Sequence, residues 1–224
     1  MTGRERQVVG ILAAGGSGAR LGADCPKAFV TLAGRPLLEW SLAALRATCD
    51  RVVIAVPEAY AEGANLVAGA ASRSLSVRNA LRAAPEATIA VVHDAARPML
   101  EADLVRRCIA ALDGAGAAVA AAPVTDTIKQ ADAGLRVTAT LDRSGLWAVQ
   151  TPQAFDAETL RAVLEGDPAS VATATDCAAL VEATGATVTI VKAPAENFKV
   201  TTALDLAVAE AVLGARADRP QGHY

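Results

Sequence analysis

Histidine is almost absent. His93 and His223 are the only two in 224 residues, too few for a histidine-based metal centre. The four cysteines, Cys25, Cys49, Cys108 and Cys177, lie far apart with no C-x-x-C pair. That spacing argues against a zinc site or a disulfide framework and fits a reducing cytoplasm, the expected location. No segment could span a bilayer, so no membrane partner is expected. The opening MTGRERQVVGILAAGG faintly resembles a signal peptide, but its apolar run is short and leads into Arg20 and Lys27, so it reads as a first strand. A basic excess is also missing. The net charge of −3 gives no footprint for nucleic acid, and an anion site must be a local concentration of cations. Lysine is scarce, with Lys27, Lys129, Lys192 and Lys199 its four positions, so a lysine inside a motif carries weight.

What is present is organised around VVGILAAGGSGARLGADCPK, Val8 to Lys27. Val8 to Leu12 reads as a buried strand, which Gly15, Gly16 and Gly18 then break, with Ala14 at the turn. Glycines at a strand exit let the backbone turn sharply and leave N–H groups free to face an anion. Arg20 and Lys27 would add full positive charge where a phosphate chain lies. The pattern is not the dinucleotide fingerprint: Leu21 stands where a third glycine belongs, and no acid tips a following strand about 20 residues on. This disfavours a nicotinamide-dependent oxidoreductase. Nor is it a Walker A loop, because no Gly-Lys-Ser/Thr closes it. Alone, the stretch could be an ordinary strand-to-helix turn with surface cations.

The rest of the chain alternates strands and helices. Phe29 to Leu32 is a short apolar piece, turned at Gly34-Arg35-Pro36, and Pro36 suits the first turn of a helix to about Ala47. Arg51 to Val56 is a buried strand stopped by Pro57; helices are expected over Glu58 to Gly69 and from about Ser76 to Ala84. Thr88 to His93 is a third strand ending in Asp94-Ala95-Ala96-Arg97-Pro98. Glu101 to Leu112 reads as helix and Ala115 to Ala122 as strand. Val124 to Arg143 breaks the rhythm and reads as a hairpin with its turn at Asp132-Ala133-Gly134, leaving the main body. An isolated hairpin is marginally stable, so it is expected to pack on another subunit. Leu146 to Phe155, a helix from about Ala157, a helix over Thr175 to Thr184, a strand over Thr187 to Val191 and a helix over Thr202 to Leu213 complete the chain. Gly214 to Tyr224 is expected to fray. Alternation of this kind implies an α/β fold, a mainly parallel sheet with helices on both faces, and ligands outside the carboxyl ends of its strands. Residues 1–224 read as one domain with an arm at about 124–143.

Several motifs fall at strand ends or in turns: the glycine loop, Ser76, VHDAARP (Val92 to Pro98), Thr127, LWAVQTPQ (Leu146 to Gln153) and NFKVTT (Asn197 to Thr202). Together, from about Val8 to Leu213, they resemble the bacterial 2-C-methyl-D-erythritol 4-phosphate cytidylyltransferases of the nucleotide-diphospho-sugar transferase superfamily. The resemblance implies that superfamily's Rossmann-like fold with a protruding β-arm. It implies transfer of CMP from CTP to methylerythritol phosphate with release of pyrophosphate, a step of non-mevalonate isoprenoid synthesis. It also implies roles. Arg20 and Lys27 would hold the CTP phosphates and steady charge at the α-phosphorus. Ala14, Gly15, Gly16, Gly18, Ser76 and Asp94 would contact the nucleotide, with Ser76 and nearby backbone reading cytosine. Arg143 and Lys199 would orient the substrate's phosphate, and Thr127, Thr151 and Thr175 would hydrogen-bond the substrate. Asp94 would lie beside Mg²⁺ or another divalent cation. A homodimer is implied, in which the arm carries Thr127 and Arg143 to the neighbour's site.

Three positions depart from the family pattern: Gly15 for a second alanine, Ala70 for a glycine, and Cys177 for a second aspartate. Plainer roles also exist. Arg143 could pair with Asp142 or Asp126, Lys199 could cap a strand end, Asp94 could cap the turn before Pro98 through its side chain, and Thr175 could be a helix N-cap. His93 reads as a packing or backbone-bonding residue, and Trp147 as core or arm packing. The chemistry suits the composition. A phosphate monoester is mostly a dianion near neutral pH, with a second pKa of about 6, so it needs no general base. The rival substrate is another polyol phosphate such as ribitol 5-phosphate. The rival of another class is a nucleotide-sensing module without turnover.

Overall fold

The computed structural model describes residues 5–217. The chain opens with β1 (Val8–Ala13), whose side chains alternate between two packing faces: Val8 and Leu12 on one, Val9 and Ile11 on the other. Two short strands, β2 (Thr31–Leu32) and β3 (Arg35–Pro36), pair as a small hairpin before α1 (Leu37–Arg46). Then follow β4 (Arg51–Val56), β5 (Leu66–Ala68), α2 (Arg73–Arg82), β6 (Ile89–Asp94), α3 (Ala102–Ala110) and β7 (Ala117–Pro123). The hairpin strands β8 (Lys129–Ala131) and β9 (Val137–Thr140) come next. The chain continues through β10 (Trp147–Asp156), α4 (Ala157–Leu164), α5 (Pro168–Thr173), α6 (Cys177–Glu182), β11 (Val188–Lys192) and α7 (Ala203–Ala217).

Seven strands form the main sheet in the order β11-β7-β10-β6-β1-β4-β5. β10 runs antiparallel to both its neighbours, β6 and β7, and every other pairing is parallel. Leu42 and Leu45 of α1 and Leu104 and Val105 of α3 cover one face. Val77 and Leu81 of α2, Leu160 and Leu164 of α4, and Val181 of α6 cover the other. A third cluster seats α7 on the small hairpin, joining Leu32, Leu37, Met99, Val200 and Leu213. This is the α/β arrangement expected, with the carboxyl ends of β1, β4 and β6 at one edge.

Four expectations are corrected. Glu58 to Gly69 is not a helix: a single 3-10 turn (Glu58–Tyr60) after Pro57 leads to β5, which adds an edge strand beside β4. Gly63 and Gly69 within that span favour the turn and strand over a continuous helix. Helix α2 begins at Arg73, not Ser76, because Ser72 caps it by accepting from the Leu75 N–H. Helix α6 starts at Cys177, and its N-cap is Asp176, which accepts from Ala179 N–H, so Thr175 is not the cap. Helix α7 runs on through Gly214 to Ala217, and the remainder of the expected frayed tail, with His223, lies outside the described residues.

The segment expected to leave the body does so. β8 and β9 form their own two-stranded sheet, closed by a turn in which Asp132 Oδ1 accepts from the N–H groups of Gly134 and Arg136. Leu135 and Val137 are 87% and 62% exposed, so within one chain the hairpin has almost no apolar cover.

Candidate active site

The loop leaving β1 is shaped by one glycine in particular. Gly18 has φ +77°, and a Cβ there would fall 2.7 Å from the Cys25 carbonyl oxygen. Any larger residue would force the backbone apart. Gly18 therefore shapes the loop from a buried position and does not line either cavity described below. The Lys27 N–H donates to Gly16 O at 2.9 Å and closes the loop. The N–H groups of Gly15 and Gly16 have no acceptor among the described residues, the condition for receiving an anion. Gly15 has open space where a Cβ would stand, so alanine would fit there as well.

A cavity of about 290 Å³ opens over this loop. Its lining includes Ala14, Gly15, Gly16, Arg20 and Lys27 from the β1 end and the segment after it, Ala70, Ser72, Arg73 and Ser76 from the start of α2 and the residues before it, and Asp94 and Lys199. Ser76 Oγ donates to Ser72 O at 2.8 Å and accepts from Ala70 N–H at 2.9 Å, holding the loop that precedes α2. Ala70 has no positive φ, so the alanine is accommodated without strain. A second cavity of about 570 Å³ lies beyond, with Arg97, Gln150, Thr151, Gln153, Thr175 and Asp176 in its wall. Arg73, Asp94 and Lys199 line both. The two spaces therefore meet at one charged junction.

At that junction Asp94 accepts from Arg73 Nε at 2.7 Å on one oxygen and from Lys199 Nζ at 2.8 Å on the other. Burial opposes ionisation of Asp94, but Arg73 and Lys199 outweigh it and hold the carboxyl well below the usual carboxylate range. Lys199 therefore does not cap a strand end. The turn before Pro98 is closed by Arg97 N–H donating to the Asp94 main-chain oxygen at 2.9 Å, not by the Asp94 side chain. Lys27 is 9% exposed and donates to Val200 O at 2.7 Å. Burial lowers its pKa, and the charges of Lys199 and Arg20 lower it further. Like charges held together in this way make a site ready for an anion.

A bulge in β10 between Val149 and Gln153 aims Thr151 at the end of β6. Thr151 Oγ1 accepts from Asp94 N–H at 3.0 Å and lies 3.0 Å from His93 Nδ1. The hydroxyl proton is thus left for Nδ1, and His93 Nε2 donates to Arg97 O at 3.1 Å. His93 is a fully buried neutral imidazole, its pKa pushed down to about 4 by burial. Asn197 braces the same region, donating to Gln150 Oε1 and Thr151 O at 2.8 Å each.

Of the residues singled out in the sequence, Ala14, Gly15, Gly16, Arg20, Lys27, Ser76, Asp94 and Lys199 share the first cavity, and Thr151 and Thr175 the second. Thr127 and Arg143 border neither. Arg143 donates to Thr125 O within the arm rather than pairing with Asp142 or Asp126. Sequence reasoning misses Arg73 as the partner of Asp94. No spacing rule links positions 73 and 94, and Arg73 sits in the serine-flanked run Ser72 to Ser76, which carries no local charge pattern.

For a divalent cation, no group of three or more His, Cys, Asp or Glu side chains is assembled among the described residues. Among the described residues Asp94 is the acid that lines both cavities, while Asp176 and Glu182 line the second, and Mg²⁺ commonly takes one or two carboxylates with substrate phosphates and water completing its shell. Both Asp94 oxygens are engaged by Arg73 and Lys199, so this donor set fits such a cation only with Lys199 displaced and phosphate oxygens supplying most of the shell. No helix among the described residues is long and apolar enough to cross a membrane.

The chain is similar over nearly its whole length to known proteins. Residues 8–215 match the family described as 2-C-methyl-D-erythritol 4-phosphate cytidylyltransferase. A protein of that name from Nocardia farcinica is 43% identical over 223 residues, covering 94% of this chain and 95% of the relative. One from Prochlorococcus marinus is 41% identical over 224 residues, covering 93% and 99%. The crystal structure of 2-C-methyl-D-erythritol 4-phosphate cytidylyltransferase from Thermus thermophilus superposes with a TM-score of 0.77 at 35% identity, over 91% of this chain and 98% of that one.

Proposed function

The chain belongs to the 2-C-methyl-D-erythritol 4-phosphate cytidylyltransferase family, and on that premise we propose how its two cavities carry out the reaction. The enzyme transfers CMP from CTP to methylerythritol phosphate in the non-mevalonate pathway. An oxygen of the incoming phosphate bonds to the α-phosphorus of CTP, and the bond from that phosphorus to the pyrophosphate oxygen breaks. The nucleophile is already ionised, so no side chain need take a proton. The obstacle is repulsion. A pair of unit charges about 4 Å apart interacts by roughly 4 kcal/mol at an effective dielectric of 20, and several such pairs oppose the encounter.

In this reading CTP occupies the first cavity. Its triphosphate lies along Gly15 and Gly16, Arg20 and Lys27 neutralise it and the charge that develops at the α-phosphorus, and the base reaches Ser76. The polyol phosphate occupies the second cavity, with Lys199 turning from Asp94 to its phosphate. Thr175 and Thr151 contact the polyol. The Thr151 hydroxyl has already committed its proton, so it serves there as an acceptor. Asp94 would hold Mg²⁺ or another divalent cation together with the phosphates, and that ion would draw off charge from the triphosphate. The hairpin, with its exposed Leu135 and Val137, would lie across a second copy of the chain and bring Thr127 and Arg143 to that copy's second cavity. The free cysteines suit a cytoplasmic enzyme.

The observation that carries the reading is the meeting of both cavities at Lys199 and Asp94, with Lys27 and Arg20 beside them. Pyrophosphate release measured with CTP and either methylerythritol phosphate or ribitol 5-phosphate tests it. Turnover with a clear preference for methylerythritol phosphate is expected, abolished by chelation and restored by Mg²⁺. A preference for ribitol phosphate, or CTP binding without turnover, would overturn it.

A further inference from the structure

Arg73 borders both cavities, yet its guanidinium is committed inward. Nε donates to Asp94 Oδ1, Nη1 lies 3.8 Å from the Cys177 sulfur, and Nη2 is buried with no acceptor among the described residues. The nearby acid, Asp176, is occupied elsewhere: one oxygen caps α6 at Ala179 N–H and the other accepts from Gln153 at 2.7 Å. Cys177 is fully buried, and burial pushes its thiol up, so it stays neutral beside the guanidinium. Asp94 is thus the carboxylate that takes Arg73's hydrogen bond.

Asp94 holds Lys199 on its other oxygen. If Lys199 must leave to meet a phosphate, a buried carboxylate with no second partner in the protein would resist the departure until a cation replaced the lysine, since breaking a lone buried pair is strongly unfavourable. Resting on the functional reading above, we propose that Arg73 is a positioning residue for the transfer: by fixing one oxygen of Asp94, it allows the other to release Lys199 to the incoming polyol phosphate. Cys177, having no charge, leaves that grip undivided. Loss of Arg73 would trap Lys199 on Asp94.

The test is steady-state kinetics of the full chain with CTP and methylerythritol phosphate for wild type, Arg73→Gln, Arg73→Lys, Asp94→Asn and the Arg73→Gln/Asp94→Asn double variant, with a thermal melt of each. Arg73→Gln is expected to lower kcat/KM for the polyol phosphate by about 10- to 100-fold, the loss typical when a group that orients a ligating side chain is removed, and to raise KM for CTP, whose cavity Arg73 also borders, by less. Arg73→Lys should recover part of the loss. In the Asp94→Asn background, removing Arg73 should cost nothing further. Wild-type kcat/KM in Arg73→Gln, an equal weakening toward CTP, or losses that multiply in the double variant would overturn the proposal. Should Arg73→Gln not fold, Arg73→Lys carries the test: lowered kcat/KM at an unchanged Tm supports it, and wild-type kinetics overturn it. A wild type that releases no pyrophosphate from this pair would overturn the functional reading itself; a turning-over wild type with a silent Arg73→Gln overturns this proposal alone.

Discussion

The Lys27 ammonium donates to the Val200 main-chain carbonyl at 2.7 Å, joining residues 173 apart in sequence. The bond ties the loop after β1 to the segment that carries Lys199. Val200 N–H in turn donates to Ala96 O at 2.8 Å, beside Asp94. Three stretches remote in sequence are thereby held together in the lining of the first cavity, and Lys27 is both a cation and a fastener.

Lys27→Ala is therefore expected to remove more than one charge. Loss of a cation that stabilises phosphoryl transfer is worth about 10³ to 10⁵ in rate, and here the support for Lys199 goes too. Turnover should fall by about 10³ or more, with a raised KM for the polyol phosphate as well as for CTP. A stopped assay at several concentrations of each substrate reads both. A weakening confined to CTP would contradict the fastening role.

Arg20→Ala should separate catalysis from stability. Arg20 is exposed and makes no ion pair or side-chain hydrogen bond among the described residues, whereas Lys27 is buried. Its removal should leave Tm within experimental error and still lower kcat by about 10³. Near-normal turnover would remove Arg20 from the site.

Much of this architecture is legible in the sequence. Val8 to Leu12, Arg51 to Val56 and Thr88 to His93 read as buried strands because their apolar runs are short and bounded by glycine, proline or charge. The glycine loop and Asp94 can be placed at one edge because parallel strands end there together. Glu58 to Gly69 misleads because β5 has only three residues, and its pairing to β4 is a tertiary fact. The Arg73–Asp94–Lys199 junction is legible only in part: Asp94 and Lys199 lie in recognisable motifs, but their pairing spans 105 residues. Arg73 carries no signal of its own.

His93 makes stability depend on pH. Its folded pKa, about 4, lies below the ordinary value of about 6.5. The unfolded chain then binds a proton between these values and the folded one does not, so this contribution is full above about pH 6.5 and is lost as pH falls toward about 4. Burial of a neutral imidazole with a shift of this size corresponds to about 3 kcal/mol. Urea midpoints from pH 7 to 4.5 should fall, and His93→Gln should show a shallower slope over that range. Parallel slopes would show that His93 is not the group responsible.

The arm predicts dependence on assembly. Thr127 and Arg143 border neither cavity of their own chain, so dilution into a monomer should lower specific activity, and Leu135→Asp with Val137→Asp should do so at higher concentration. Light scattering and activity followed together check this. A monomer with full activity would remove the shared-site account.

The most direct test of the central claim is a crystal structure with CTP and Mg²⁺ bound. The triphosphate should lie along Gly15 and Gly16 with Arg20 and Lys27 in hydrogen-bond contact, the base at Ser76, and Lys199 facing the open second cavity. A triphosphate seated away from Arg20 and Lys27 would contradict the account.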